Sequence, residues 1–315
     1  MNFADLFKRA FDARSDLFSP GDTDSFRLFN SSGDGFEGLA ADIYGRYILV
    51  QLFEGRLFEI RNDIVDGLIR ASAELPVSPE GFLLKDRTIQ RGDLDYGDIR
   101  RSVLVEGHEP PADYTVKQNG VSAYVDLVEG QSTGIFLDMR EIRRDLAPLY
   151  PAGGSILNLF SYTGLFSVHA LKNGMNRSLN VDLSKAVLQK AAANYRLNGL
   201  RFDDRDFIYG DALQWMKRLQ KRGEVFSLVV FDPPTFSRNR KNTFSVKHDY
   251  PRALEAAAGL CDRYVFTAVN SHSVSENEYL SYHPGSWKLA YFGNESADFR
   301  GQERYLKAGL WELRR

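Results

Sequence analysis

The sequence predicts an α/β protein in which a doubly wound, mainly parallel sheet follows a smaller α+β domain. From residue 155 onward, short apolar runs typical of strands alternate with segments whose apolar residues recur at helical spacing, the pattern of β-α-β units. Before residue 115, a helical segment instead precedes several strands separated by tight turns. We therefore assign residues 1–115 to the small domain, 116–137 to a linking β-hairpin and 138–315 to the larger domain.

The small domain and the linker follow from the local patterns, taken in chain order. Residues 2–18 carry apolar side chains at helical spacing, which predicts an amphipathic helix. Residues 25–58 hold short apolar runs between glycine-containing turns, which is typical of a β-meander. Residues 60–75 return to helical spacing, and residues 82–84 resume a strand. In the linker, Gln118-Asn119-Gly120 is the turn sequence expected of a tight hairpin.

The larger domain follows from alternating strand and helix patterns. We predict strands at residues 155–160, 178–181, 207–209, 227–231 and 264–268, and helices at 138–149, 165–173, 185–198, 212–221, 250–260 and 276–281. Right-handed crossovers between parallel strands bring the carboxyl ends of these strands to one edge of the sheet. Ligands of such sheets bind at that edge, so polar residues directly after the strands are the candidates for a site.

Composition and charge exclude several classes of protein. The 315 residues are 43% hydrophobic and 26% charged, as in an ordinary folded protein, and the net charge of −2 argues against a uniformly basic nucleic-acid-binding protein. The single cysteine, Cys261, and five histidines without close ligand spacing predict no disulfide and no metal site. No apolar run approaches the roughly 20 residues of a membrane span, and the N-terminus lacks an apolar signal core. We therefore expect a cytoplasmic protein.

Residues that follow the first three strands of the larger domain favour a nucleoside-containing cofactor. Gly164 lets the backbone approach a ligand closely at a helix start, although a glycine there also serves packing. Asp182 ends the next strand, where a carboxylate can accept hydrogen bonds from ribose hydroxyls; the alternative is a helix N-cap, a role that Ser184 already fills. Asp211 lies at the third strand end, where it can accept from an adenine amine. The G-x-G-x-x-G pattern is absent, which disfavours NAD and FAD.

The fourth strand runs into Asp232-Pro233-Pro234-Thr235-Phe236. Two prolines stop the strand and leave carbonyls free, while the acid and the aromatic residue can hold the edge and the face of a base; the alternative is a structural proline turn. Between residues 237 and 252 there are five cations and one acid, which favours RNA as the partner, unless this is only a solvated loop. The candidate substrate-binding residues are Phe236, Arg238, Arg240 and Lys241.

Several segments resemble the class I S-adenosylmethionine-dependent methyltransferases of bacterial large-subunit (23S) ribosomal RNA. The matching segments are Leu157-Asn-Leu-Phe-Ser-Tyr-Thr-Gly164, Asn180-Val-Asp-Leu-Ser184, Gly210-Asp-Ala212, Phe231-Asp-Pro-Pro-Thr-Phe-Ser237, and the flanking stretches 36–45, 126–140 and 305–310. The resemblance covers most of the chain, although the N-terminal PUA domain of many relatives is not apparent. It implies a Rossmann-like sheet, S-adenosylmethionine as the cofactor and large-subunit ribosomal RNA, or an assembly intermediate that contains it, as the partner.

The resemblance also implies individual roles. Asp182 would bind the cofactor ribose, Asp211 its adenine side and residues 160–164 its methionine end, while Asp232 and Pro233 would line the methyl-transfer site. The implied cofactor-binding residues are Phe136, Asp138, Arg140, Phe160, Ser161, Tyr162, Thr163, Gly164, Asp182, Asp211 and Asp232, of which the first three would close over the cofactor. The candidate catalytic residues are Asp232, Pro233 and Asn270.

One departure from the family pattern bears on the reaction. Relatives that methylate carbon 5 of cytosine have cysteines after the fifth strand, because a thiolate must first add to the ring. Ala268 and Asn270 stand at the corresponding positions here, and Cys261 lies earlier, in the predicted turn before that strand. A guanine nitrogen carries its own lone pair and needs only positioning, which Asp232 and Asn270 can supply. The Asp232-Pro-Pro-Thr-Phe-Ser237 segment and Asn270 resemble the guanine-nitrogen-7 branch of the family, and this resemblance implies direct in-line transfer to a guanine nitrogen.

Two alternatives remain open from sequence alone. The tail Tyr305-Leu-Lys-Ala-Gly-Leu310 resembles the cytosine branch, so cytosine methylation with an unusual nucleophile is the enzymatic rival. A catalytically silent RNA-binding or assembly factor that retains the fold is the rival from another class. His272, near Asn270, is a candidate proton acceptor, but a histidine beside a strand end more often has a structural role.

Overall fold

A computed structural model describes residues 2–19, 21–88, 101–129, 132–234, 236–238, 243–301 and 304–313, with side chains outside 235–248. The chain divides into two compact units. The first contains Met1–Arg140 together with Ser296–Gln302, and the second contains Glu141–Glu295 together with Glu303–Arg315. None of the described helices is long and apolar enough to cross a membrane.

The first unit is built on a five-stranded sheet within its described residues. The elements are α1 (Phe3–Asp12), β1 (Ser25–Asn30), β2 (Leu39–Tyr44), β3 (Tyr47–Leu52), α2 (Arg56–Glu59), α3 (Arg61–Ser72), β4 (Gly81–Asp86) and β5 (Val103–Gly107). The strands lie in the order of the sequence, and every neighbouring pair is antiparallel except β3 and β4, which the helices α2 and α3 connect. The predicted meander and both predicted helices are therefore confirmed.

The first helix is shorter than its apolar pattern predicts. Asn2 caps its N-terminus by accepting a hydrogen bond from the Ala4 N–H, and the helix ends at Asp12. Residues 15–18 form a separate 3₁₀ turn, whose phenylalanine Phe18 packs edge-on against Phe26 at 4.9 Å. The helical spacing of apolar residues continues past the end of α1 because α1 and the turn at residues 15–18 pack apolar side chains against the same core.

The predicted hairpin is formed by β6 (Thr115–Gln118) and β7 (Val121–Tyr124). Its two-residue turn has both residues in the left-handed region, Asn119 at φ +52° and Gly120 at φ +72°. This is the type I′ geometry that matches the twist of the flanking strands, and asparagine followed by glycine tolerates it best. The hairpin belongs to the first unit, and so does the return segment 296–302.

The second unit contains a seven-stranded sheet within its described residues. Its elements, from α4, which starts at the unit boundary, are α4 (Arg140–Leu146), β8 (Ser155–Leu159), α5 (Leu165–Lys172), β9 (Arg177–Asp182), α6 (Lys185–Leu197), β10 (Phe207–Tyr209), α7 (Ala212–Lys221), β11 (Phe226–Phe231), β12 (Phe236–Arg238), β13 (Thr243–Ser245), α8 (Val246–Ala258), β14 (Cys261–Asn270), α9 (Glu276–Ser281), β15 (Lys288–Gly293) and β16 (Leu306–Glu312). The strand order is β10-β9-β8-β11-β14-β16-β15.

This order confirms the doubly wound, mainly parallel sheet. Strands β10, β9, β8, β11 and β14 are parallel, whereas β16 is antiparallel to both β14 and β15. The direction of strand addition reverses between β8 and β11, which makes their carboxyl ends the topological switch point where ligands bind in such folds. The large buried side chains of the core include Phe231, Tyr250 and Tyr279.

Two predicted boundaries are corrected. The fifth strand begins at Cys261 rather than at 264, so Cys261 is the first residue of β14 and does not lie in a preceding turn. Exposed Asp262 and Arg263 interrupt the apolar pattern there, while the backbone already pairs with β11. The helix predicted from residue 250 begins at Val246, because Pro251 lies within its second turn and does not start it.

Candidate functional site

The loop that joins β8 to α5 has an unusual backbone. Phe160, Tyr162 and Gly164 all lie in the left-handed region, with φ values of +57°, +48° and +74°. Non-glycine residues adopt this conformation only when the surrounding structure holds them there, and such residues cluster at ligand sites. At Gly164, an added Cβ would lie 3.0 Å from the Cβ of Ala191 on α6. Glycine therefore permits both the backbone conformation and the close packing of α6 against the loop.

Asp182 ties this loop to the neighbouring strand. Its Oδ2 accepts a hydrogen bond from the Tyr162 N–H and its Oδ1 accepts one from the Ser184 N–H, each at 2.9 Å. Ser184 caps α6 through the Val187 N–H, as predicted. A carboxylate has about four acceptor positions, so two bonds leave Asp182 the capacity to accept two hydroxyl groups from a ligand. The half-buried side chain is therefore both an organiser of the loop and a candidate ligand contact.

Ser161, in the same loop, carries a buried hydroxyl without a hydrogen-bond partner among the described residues. Only 6% of this residue is exposed. Buried polar groups are almost always hydrogen-bonded, and an orphan of this kind requires an explanation. A polar ligand in the loop would satisfy it. The left-handed backbone, the close-packed glycine and this hydroxyl together fit a loop built around a bound group.

Asp211 and the residues beside it line the ends of β9 and β10. Asp211 is the N-cap of α7, because its Oδ1 accepts a hydrogen bond from the Gln214 N–H at 2.9 Å. Leu183 and Tyr209, at the ends of their strands, expose 46% and 54% of their surfaces. Lys185 places its Nζ 5.1 Å from the centre of the Tyr209 ring. Sequence reasoning missed the exposed side chains of Leu183 and Tyr209, whose signal was an apolar residue within two positions of each acid.

A buried polar network beneath the loop was also missed. Asn158 donates from Nδ2 to Ser167 Oγ at 3.1 Å, and Ser167 donates to Asn180 Oδ1 at 2.7 Å. Asn180 in turn donates from Nδ2 to the Tyr195 hydroxyl at 2.9 Å, which bonds Ser178 Oγ at 2.7 Å. The network joins β8, α5, β9 and α6. Its signal in the sequence was a polar residue in the middle of each apolar strand, Asn158 and Asn180.

Asp232 and Pro233 follow β11 directly. Asp232 is half-buried, Pro233 is buried and Pro234 is exposed. The Phe231 ring packs against Tyr250 at 5.1 Å. Burial, followed by the nearby Tyr279 hydroxyl and Asp232 carboxylate, raises the pKa of Tyr250 well above its usual value. Tyr250 is therefore a neutral hydrogen-bond donor, and it donates to the Ala268 carbonyl at 3.2 Å.

Asn270 is the last residue of β14 and is exposed. Phe231 pairs with Thr267 in the β11–β14 register, so Asp232 is level with Ala268 and Asn270 lies two residues, roughly 7 Å, farther along. Asp232, directly after β11, and Asn270, the last residue of β14, therefore lie at the ends of adjacent strands at the same edge of the sheet. His272 is also exposed, and its ring centre lies 5.5 Å from that of Tyr305.

Cys261 lies at the opposite edge of the sheet. It lies nine positions before Asn270 on β14, about 30 Å at the rise of an extended strand. The side chain is fully buried, its Sγ donates to the Tyr264 carbonyl at 2.9 Å, and burial raises the pKa of the thiol to about 11. A protonated thiol at the wrong end of the strand has no access to the candidate site.

Three further sequence candidates, Phe136, Asp138 and Arg140, belong to the first unit. In the first unit, Arg140 donates to the Asp298 carboxylate at 2.8 Å, the Asp138 carbonyl accepts from Ser296, and Phe136 is 45% exposed. The backbone of Phe236 and Arg238 forms β12, but their side chains, together with Arg240 and Lys241, lie outside the described residues. Within the described part of the chain, no three metal-ligating side chains cluster.

The geometry at the strand ends agrees with comparisons to known proteins. YwbD of Bacillus subtilis, which is named as a candidate ribosomal RNA large subunit methyltransferase, is 33% identical over 86% of this chain and 67% of its own length. Ribosomal RNA large subunit methyltransferase I of Photobacterium profundum is 31% identical over 71% of this chain and 55% of its own. The chain thus spans about half to two thirds of these relatives.

A solved structure and a family profile extend the comparison. The crystal structure of SMU.776, a candidate methyltransferase in complex with SAH, superimposes with a TM-score of 0.89 at 26% identity and covers 99% of this chain and 81% of its own. The sequence profile of the S-adenosylmethionine-dependent methyltransferases matches residues 27–274. The cofactor of the family, S-adenosylmethionine, fits a loop with left-handed backbone, an orphan hydroxyl and a flanking carboxylate. The chain belongs to the S-adenosylmethionine-dependent methyltransferase family.

Proposed function

We propose that the protein transfers a methyl group from S-adenosylmethionine to a guanine nitrogen of large-subunit ribosomal RNA. The names of the two curated relatives support ribosomal RNA as the substrate class. The observation that carries the choice of base is the position of Cys261, about 30 Å from the candidate catalytic edge of β14. A mechanism that needs a thiolate has no thiol to use in this chain, because Cys261 is its single cysteine.

The residues at the strand ends divide the work of binding the cofactor. When bound, S-adenosylmethionine supplies an electrophilic methyl group on a sulfonium centre. Asp182 accepts hydrogen bonds from the ribose hydroxyls with the acceptor positions that Tyr162 and Ser184 leave open. Asp211, whose side chain is held in place by its cap bond to Gln214, accepts from the adenine amine. The Ser161 hydroxyl meets the polar end of the methionine moiety, which resolves its lack of a partner.

The residues at the ends of β11 and β14 position the substrate. Asp232 accepts a hydrogen bond from an N–H on the edge of the base, and Asn270, roughly 7 Å farther along the adjacent strand, holds the other side of the nucleotide. The reaction needs a nitrogen lone pair in line with the carbon–sulfur bond, and alignment of this kind lowers a barrier without covalent activation. Phe136, Asp138, Arg140, Phe236 and the cations Arg238, Arg240 and Lys241 stay proposed contacts to cofactor or RNA.

Nucleoside analysis by mass spectrometry tests the proposal. Purified protein, S-adenosylmethionine carrying a labelled methyl group, and protein-free large-subunit ribosomal RNA from a strain that lacks the gene are incubated and digested to nucleosides. We expect the label in a methylguanosine. Label in 5-methylcytidine would support the cytosine alternative, and binding of RNA without any label would support the silent assembly factor. Asp232→Ala is the control, since it should abolish the label while cofactor binding by calorimetry persists.

A further inference from the structure

The solvent-facing side of helix α7 has an unusual charge. Its cations are Lys217, Arg218, Lys221 and, directly after the last residue of the helix, Arg222, and all four are exposed. The nearest acids in the sequence are Asp211, before the helix, and Glu224, after it. At about 100° per residue, the four cations occupy roughly 140° of the helix circumference. The opposite side buries Ala212, Met216 and Leu219. We call the four cations the α7 basic face.

These cations are not used in ion pairs within the described part of the chain. The side chains of Lys217 and Lys221 make no hydrogen bond or ion pair there, and Arg218 and Arg222 place their guanidinium carbons 4.8 and 5.8 Å from the ring centre of Trp215. Stacking on an aromatic ring orients a guanidinium but leaves its N–H donors available. Exposed cations elsewhere in the unit, such as Arg177 and Lys288, pair with glutamates instead.

The α7 basic face is also held rigidly. Asp211 caps the first turn of the helix, and Gln220 donates from Nε2 to the Ala256 carbonyl on α8 at 2.8 Å. Cations in the last turn of a helix stabilise it through the helix dipole, which accounts for Arg218 and Lys221. Lys217 precedes that turn and Arg222 follows the helix, so the dipole alone does not account for four like charges that repel one another.

We propose that the α7 basic face binds RNA phosphates outside the methyl-transfer site, an inference that rests on the proposed RNA substrate. The cations lie roughly 9 to 16 Å along the helix axis from Asp211, beyond the reach of a target nucleotide held at the strand ends. The protein as a whole carries a net charge of −2, so a local patch must supply the attraction that orients a polyanion. A membrane-binding helix would expose apolar side chains among its cations, whereas the other exposed residues of α7 are Gln214 and Gln220.

A charge-matched pair of variants tests this inference. In the α7 variant, Lys217, Arg218, Lys221 and Arg222 are all replaced by glutamine, which has a similar helix propensity. In the control variant, four exposed cations of the same unit that have acidic neighbours, Arg144, Arg177, Arg205 and Lys288, are replaced by glutamine. The dissociation constant for protein-free large-subunit ribosomal RNA is measured against salt concentration for both variants and the wild type.

The α7 variant should bind RNA at least tenfold more weakly at low salt, and its salt slope should fall by up to ~3, since each lost phosphate contact removes about 0.7 to 0.9. The affinity for S-adenosylmethionine should equal that of the wild type, which shows that the unit is folded. A slope equal to that of the control variant would overturn the inference and leave the proposed function intact. If the wild type neither binds nor methylates RNA, the proposed function fails, and the inference fails with it.

Discussion

At the scale of single residues, Asp182 both organises the loop before α5 and is a candidate ligand contact, and a sequence pattern cannot separate these two roles. Carboxylates at the ends of strands often cap helices, and Asp211 does so. Asp182 instead accepts from the backbone of the loop before α5 and from the residue that starts the next turn. Two hydrogen bonds therefore fix the orientation of the Asp182 side chain before any ligand binds. Binding sites require preorganisation of this kind.

Asp182→Ala should weaken binding of S-adenosylmethionine by about 1–3 kcal/mol, the range for leaving buried hydrogen-bonding groups unpaired. The substitution removes acceptors for the ribose and releases the Tyr162 and Ser184 N–H groups. Isothermal titration calorimetry measures the change, and circular dichroism shows whether the fold persists. Asp204→Ala, at an exposed acid after α6, is the control and should bind as the wild type does. Unchanged affinity in Asp182→Ala would remove Asp182 from the ribose site.

Cys261→Ser should retain methyl transfer at a rate close to that of the wild type. The serine hydroxyl can donate to the Tyr264 carbonyl as the thiol does, so the start of β14 keeps its hydrogen bond. Initial rates with labelled S-adenosylmethionine measure the effect, and Asn270→Ala is the comparison that should lower turnover without changing cofactor affinity. Loss of activity in Cys261→Ser, together with a covalent complex on RNA that contains 5-fluorocytosine, would restore the cytosine mechanism.

At the scale of secondary-structure elements, the buried network explains how two strand ends stay in register. Asn158 and Asn180 are direct partners across β8 and β9, and each lies two residues before a site residue, Phe160 or Asp182. Alternate residues of a strand share a face, so Asn180 fixes the face of β9 from which Asp182 projects. Phe160 lies beyond the end of β8 in left-handed backbone, so the same rule does not place its side chain. The hydroxyl of Tyr195 closes the network from α6.

Tyr195→Phe should reduce the free energy of unfolding of the second unit by about 1–3 kcal/mol, because it leaves the buried Asn180 amide and Ser178 hydroxyl without that partner. Urea denaturation monitored by tryptophan fluorescence measures the change. Tyr264→Phe is the matched control: its hydroxyl makes no hydrogen bond in the described chain, so the change should stay within about 0.5 kcal/mol. Equal effects in both variants would show that the network adds no stability.

The elements that the sequence predicted best are those with local signals. The predicted ranges of α7 and α9 agree with the structure because Asp211 and Ser275 cap them and apolar spacing marks their lengths. The strand-end residues of the second unit followed from the alternation of strands and helices. The polar network did not, since an asparagine in an apolar strand identifies its partners only through the tertiary fold. The start of β14 at Cys261 could not be predicted either. It depends on backbone pairing with β11, which the polar side chains at the start of the strand do not indicate.

At the scale of the whole molecule, the chain enters the first unit a second time. The segment 296–302 places Asp298 where it accepts from the Arg140 guanidinium and from the Arg27 N–H, each at 2.8 Å. A Cβ on Gly33 would lie 2.0 Å from the Arg300 carbonyl oxygen, so only glycine allows the segment to pack there. No periodic pattern marks such a return, because these partners lie 158 to 271 residues away in the sequence.

The stability of the second unit should fall as the pH is lowered from 6.5 towards 4. Burial lowers the pKa of His169 to about 3 and that of His283 to about 4, against a usual value of 6.5 that the unfolded chain retains. In this window the unfolded state binds up to two more protons than the folded state, so stability rises with pH by up to ~1.4 kcal/mol per pH unit for each histidine. All three tryptophans lie in this unit, so urea midpoints from tryptophan fluorescence report on it alone.

Single substitutions test whether the buried histidines cause the pH dependence of the second unit's stability. His169→Gln should remove about half of the slope between pH 6.5 and 4, since glutamine has no proton to gain and can still bond the Tyr150 hydroxyl that His169 Nδ1 contacts at 3.2 Å. His272→Gln, at an exposed histidine of the same unit, should leave the slope unchanged. A slope that survives in His169→Gln and His283→Gln alike would show that carboxyl groups, and not the buried histidines, make the second unit sensitive to acid.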